Sequence, residues 1–180
     1  MMVRFGSCAA LGLLALGLGG CSGKVETHIR SDGSGVQGRP LLMWQPEAAE
    51  GAADPVLDRA KQAVADRLQQ QGFRFAEQAP VMLSVGLAER ADRIAVQSSQ
   101  DAALSPAHRR KGLFPCKGQM VRLSISMTDS ATGEKLYGGT AQEAHCKVSL
   151  DQLVPYLAET ALADLAAPRG VRTEISPLAK

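Results

Sequence analysis

Residues 119–128 read Gln119-Met120-Val121-Arg122-Leu123-Ser124-Ile125-Ser126-Met127-Thr128. Val121, Leu123, Ile125 and Met127 share one face of this stretch, while Arg122, Ser124, Ser126 and Thr128 share the other. A period of two sustained at this length predicts a half-buried strand. Asp129-Ser130-Ala131-Thr132-Gly133 follows, a turn whose glycine can take positive φ, and residues 135–141 then read as the returning strand. The predicted fold is built around this hairpin.

Upstream, Asp54-Pro55 opens a helix, with an acceptor at the N-cap and a proline where its missing N–H is harmless. Val56, Leu57, Ala60, Val64 and Leu68 recur at helical spacing, and Gly72 supplies the stop. Residues 40–45, holding Leu41, Leu42, Met43 and Trp44, read as a strand stopped by Pro46. Phe73 and Phe75 form a brief extended piece. Val81, Leu83, Val85 and Leu87 mark another strand, whose opposite face of Met82, Ser84, Gly86 and Ala88 is left for water or a partner. Downstream, Ser149 and Gln152 have capping-box spacing. Leu150, Leu153, Val154, Leu157, Ala158, Ala161, Leu162 and Leu165 then give a second amphipathic helix, with Pro155 off the stripe and Pro168 at the end. The expected fold is therefore an α+β two-layer domain over residues 40–168. In it a mainly antiparallel sheet of four to five strands carries two amphipathic helices on one face. Residues 169–180 are expected to be a frayed tail.

The N-terminus carries a different kind of information. Arg4 is the one charge in the first twenty residues, residues 8–18 are almost wholly apolar, and Gly19-Gly20 precede Cys21. This is the pattern of an export signal, residues 1–20, with a small-residue cleavage site. The stretch Leu18-Gly19-Gly20-Cys21 resembles the lipobox of bacterial lipoproteins. The resemblance implies cleavage between Gly20 and Cys21, a diacylglyceryl group on the Cys21 thiol and an acylated amine. An ordinary secretory signal ending near a cysteine is the alternative. Ser22, in place of aspartate, implies sorting to the outer membrane by the same resemblance. Residues 21–39, rich in Gly, Ser and charge, are then expected to form the acylated cysteine and a flexible tether reaching about 20–25 Å, although Val25, Thr27 and Ile29 alternate as a short strand would.

Cys8 leaves with the signal and Cys21 takes the lipid, so Cys116 and Cys146 remain. Two thiols in an exported domain commonly pair. Closing the hairpin with Thr128 opposite Glu134 also sets Cys116 opposite Cys146, which predicts a disulfide; two buried free thiols are the alternative.

Twenty basic and eighteen acidic residues nearly cancel, which argues against nucleic acid as a partner. The long connection of residues 89–118 contains His108-Arg109-Arg110-Lys111 and is a candidate interaction loop, with a merely solvated loop as the alternative. No G-x-S-x-G, H-E-x-x-H, G-x-x-x-x-G-K or G-x-G-x-x-G is present. His28, His108 and His145 are scattered, so neither a metal, a cofactor nor a catalytic residue is assigned.

Three stretches carry a wider likeness: Leu42-Met43-Trp44; Gln71-Gly72-Phe73 with Pro80-Val81-Met82-Leu83-Ser84-Val85; and Met127 through Tyr137 continuing to Gly139-Thr140-Ala141. Behind a lipobox, this order resembles the bacterial lipoprotein family catalogued as domain of unknown function 4136. It departs from that pattern at Ala79-Pro80, where many members have aspartate, and at Tyr137, where many have tryptophan. The resemblance implies a fold and a location and supplies no catalytic residue. The expected role is a non-catalytic accessory of the cell envelope, lipid-anchored on the periplasmic face of the outer membrane and docking an envelope protein. A carrier of a small apolar or lipid ligand between sheet and helices is the alternative.

Overall fold

The computed structural model describes residues 24–46, 54–91, 96–97, 103–105, 119–145 and 148–177. Its elements are β1 (Lys24–Asp32), β2 (Leu41–Trp44), α1 (Pro55–Gln70), β3 (Arg74–Phe75), β4 (Val81–Ala91), β5 (Val96–Gln97), β6 (Ala103–Ser105), β7 (Gln119–Asp129), β8 (Lys135–His145), α2 (Leu150–Ala161) and β9 (Gly170–Pro177). The main sheet has seven strands in the order β3-β2-β4-β7-β8-β1-β9, and β5 and β6 form a separate ribbon.

This corrects the expected sheet of four to five mainly antiparallel strands. The sheet is larger and mixed: β2 runs parallel to both β3 and β4, and the other pairings are antiparallel. A parallel neighbour needs a crossover, and α1 supplies it between β2 and β3. Within the tether expected over 21–39 and the tail expected over 169–180, the described residues are corrected as well: β1, which contains the short strand suggested by Val25, Thr27 and Ile29, and β9 pair with each other from Lys24↔Pro177 to Ser31↔Gly170.

The hairpin register places Leu83, Val85 and Leu87 of β4 beside Met127, Ile125 and Leu123 of β7, and Leu123 and Met127 beside Ala141 and Tyr137 of β8. Against this face pack Ala60, Val64 and Leu68 of α1 and Leu153, Val154, Leu157, Ala158 and Ala161 of α2, all buried. Asp54 caps α1, its Oδ1 accepting from the Val56 and Leu57 N–H groups at 2.9 and 3.3 Å. Ser149 is the N-cap residue of α2, but its side chain makes no capping hydrogen bond.

One buried polar group and one glycine fix how α2 sits. The Tyr137 hydroxyl, fully enclosed, donates to the Ala161 carbonyl at the end of α2, and burial together with the nearby Asp164 charge pushes its pKa up. Gly139, two residues along the same face, admits that contact: a Cβ there would lie 2.2 Å from the Ala161 carbonyl oxygen and 2.8 Å from the Tyr137 hydroxyl.

The hairpin turn forms around Asp129, whose Oδ1 accepts from the Ala131 and Thr132 N–H groups and the Thr132 hydroxyl, while Gly133 takes φ of +71°. The register differs from the predicted one. Thr128 faces Lys135, and a bulge then sets Met127 opposite Tyr137 and Gln119 opposite His145. A bulge adds a residue to one strand, so every later pair moves with it. The register that put Cys116 opposite Cys146 is therefore displaced, and both cysteines lie outside the described residues.

Candidate functional site

The residues singled out by sequence fall outside the described part of the chain: Gly20, Cys21 and Ser22, the basic cluster His108, Arg109, Arg110 and Lys111, and the pair Cys116 and Cys146. What the structure gives is the place where their segments join the sheet. β1 starts at Lys24, three residues after Cys21, and lies beside the Pro177 end of β9. β1 also runs antiparallel to β8, with Thr27 opposite Glu143, so the His145 end of β8 is at this same end of the sheet. Gln119 of β7 faces His145 and Ala91 of β4 faces Gln119. The segment of residues 92–118 thus leaves and re-enters the sheet at the end where β1 begins.

β1 buries Ile29, but it and β9 are otherwise held largely by polar groups, so their inward faces carry little of the apolar alternation that marks β7. Thr27, buried, shares a 2.8 Å hydrogen bond with the Tyr156 hydroxyl of α2. Ser31, also buried, donates to Asp164 at 2.9 Å and accepts the Arg169 N–H at 2.9 Å. Asp164 lies just past α2, with only 1% of its side chain exposed, and receives in addition the guanidinium groups of Arg169, at 2.6 Å, and Arg172. Burial raises the Asp164 pKa, but hydrogen bonds from Ser31, Arg169 and Arg172 and the Arg172 charge outweigh it, leaving the carboxyl below its usual range. Arg172 completes the cluster through Glu174, its Nε donating at 2.8 Å. On the outer face of β9 the pattern inverts: Val171 and Ile175 are 78% and 66% exposed. Inward charges with apolar residues outward are the reverse of an ordinary strand, although inward charge is a known protection of sheet edges.

At the opposite edge, β2 and β3 present a second feature that sequence reasoning missed. Trp44 and Phe75 stack with ring centroids 5.3 Å apart and planes 19° from parallel. With Gln45 and the α1 side chains Asp58, Lys61, Gln62, Ala65 and Gln69 they line a trough of about 480 Å³. A narrower gap of about 90 Å³ lies between α1 and α2, whose outer rims are joined by the exposed pairs Arg59–Asp151 and Arg67–Glu159. Among the described residues no three His, Cys, Asp or Glu side chains gather as metal ligands. Nor is any described helix long and apolar enough to cross a membrane.

No known family matches the chain, and no curated protein matches it. Solved structures do. A PelC dodecamer from Paraburkholderia phytofirmans is 16% identical with a TM-score of 0.50, the match covering 78% of this chain and 98% of that one. A PDZ domain protein from Parabacteroides distasonis is 7% identical with a TM-score of 0.51, over 84% of this chain and 39% of that one. The likeness is one of fold. At these identities the neighbours support a shared arrangement of strands and helices and carry no residue role across.

Proposed function

We propose that this chain is a lipid-anchored, non-catalytic interaction module of a bacterial cell envelope, held through acyl chains on Cys21 at the periplasmic face of the outer membrane. The observation that carries this reading is the start of β1 at Lys24. Three Cα–Cα steps span at most about 11 Å, so a lipid on Cys21 would hold one end of the sheet against the bilayer. A long tether would let the domain range much further out. One acyl chain binds only marginally, whereas the several implied by the lipobox resemblance make a stable anchor.

Two further features support docking at that end. The segment with the basic cluster His108 to Lys111 is rooted there, and β9 beside β1 exposes Ile175. The partner is an envelope protein meeting the domain close to the membrane surface. The carrier alternative draws less from the core. Leu42, Val64, Leu68, Leu83, Leu123, Leu153 and Leu157 are fully enclosed by their neighbours.

The test joins fractionation to crosslinking in intact cells. The wild-type chain should sediment with outer membrane and crosslink to a neighbouring envelope protein, and shortening residues 92–118 should remove the crosslink. Cys21→Ser should appear in the soluble fraction or as uncleaved precursor. Unchanged membrane retention of Cys21→Ser would refute the anchor; crosslinks indifferent to the 92–118 segment would refute docking there.

A further inference from the structure

The trough at the β2–β3 edge has a composition that neither packing nor the anchor explains. Trp44 is the only tryptophan in a chain that is 4% aromatic, yet 37% of it stays exposed at a sheet edge. The register fixes its direction: Leu42 faces Phe75 across the parallel pair, and Trp44, two residues on, projects to that same side beneath α1. Stacking on Phe75 holds the indole in place, so an aromatic platform exists before any ligand arrives.

The walls are of a different chemistry. Asp58, Lys61, Gln62, Ala65 and Gln69 recur at three- and four-residue steps and form one stripe of α1, which Gln45 faces from the strand edge. Three of these side chains are amides, each able to donate and accept. Gln62 uses an N–H on Asp66 at 2.7 Å, which leaves its carbonyl oxygen available. Among the described lining residues Asp58 and Lys61 carry opposite charges. An acyl chain would cover the amides without satisfying them, which is unfavourable. An aromatic floor under a neutral rim of paired donors and acceptors fits a ligand with a C–H face and a belt of hydroxyls. The volume of about 480 Å³ lies within the range of small-ligand sites, roughly 300–1,000 Å³.

We propose that this trough binds a short neutral oligosaccharide, one pyranose ring lying on Trp44 and its hydroxyls bonded by Gln45, Gln62, Gln69 and Asp58. The open shape implies a weak site, with Kd on the order of 1 mM. The inference is independent of the anchor: it concerns the far edge of the sheet, and either can fail alone.

Because Trp44 is the sole indole, tryptophan fluorescence reports on this site directly. The full-length chain, in a zwitterionic detergent free of sugar headgroups, is titrated with cellotetraose, maltotetraose, N-acetylchitotetraose and the acidic tetragalacturonate. A saturable emission change with at least one neutral sugar, and a weaker one with tetragalacturonate, is the expected result. Gln69→Ala on the solvated helix face should weaken binding several-fold. Trp44→Ala, followed by calorimetry with its fold checked by circular dichroism, should abolish it. No response to any neutral tetrasaccharide, a preference for tetragalacturonate, or affinity unchanged in both variants would each overturn the proposal.

Discussion

Replacing Asp164 by alanine is expected to lower the unfolding free energy by about 3–5 kcal/mol, the range for breaking a buried charged cluster by removing one partner. The carboxylate is the hub that Ser31 of β1, Arg169 and Arg172 of β9 all meet, so its loss leaves the half-buried Arg172 with Glu174 alone and the Ser31 hydroxyl without its acceptor. Beyond its backbone pairing with β1 and the His28–Thr173 hydrogen bond, β9 adds little apolar burial, since Val171 and Ile175 are exposed. Amide exchange should therefore rise first in β9 and the adjoining half of β1. The pH dependence follows from the depressed pKa of Asp164. In the unfolded chain an aspartate titrates near 3.9. The folded carboxyl stays ionised below that, so its stabilisation is complete above about pH 4 and is lost as pH falls through the folded value. Urea unfolding at pH 7 should separate wild type from Asp164→Ala by the full amount, and the gap should narrow as pH falls below about 4. A gap below about 1 kcal/mol at pH 7 would show that the cluster is ornamental to the fold.

Gly139→Val should destabilise by about 3 kcal/mol or more, at the upper end of overpacking effects. A side chain at this position meets a helix-end carbonyl at 2.2 Å and the Tyr137 ring at 2.7 Å, both fixed by the hydrogen bond between them. Relief requires α2 to lift from the sheet, which opens the core lined by Leu157, Ala158 and Ala161. The adjacent Gly138 gives the control. It sits on the opposite face, where an added Cβ meets the ends of Asp32 and Lys135, flexible side chains that can swing away. Gly138→Ala should cost well under 1 kcal/mol. Equal thermal shifts for the two substitutions would contradict the placement of α2.

The contrast between what the sequence reveals and what it hides follows from the chemistry of the buried partners. The β7–β8 hairpin and both helices are legible because their hidden faces are apolar, so the burial pattern is written in residue type: Val121, Leu123, Ile125 and Met127, or Ala60, Val64 and Leu68. β1 hides Thr27 and Ser31 beside Ile29, so its alternation shows only as a short strand, while β9 turns Arg172 toward Asp164, a polar face satisfied by a distant partner that has no hydrophobic period to detect. One signal was available. Asp164 is an acid inside the run Ala161-Leu162-Ala163-Asp164-Leu165, followed by Arg169 and Arg172. The parallel placement of β2 depends on where α1 carries the chain, and the bulge at Met127–Thr128 moved a register that turn length alone had set. Trp44 was visible as a strand residue. Its platform was not, because Phe75 joins it only across the β2–β3 pair.

The most direct test of the central claim is the intact mass of the N-terminal peptide of the mature protein from membranes. The lipid-anchor account predicts a terminus at Cys21, cut after Gly20, carrying a diacylglyceryl thioether and an acylated amine. A terminus elsewhere, or Cys21 with an unmodified thiol, would contradict it.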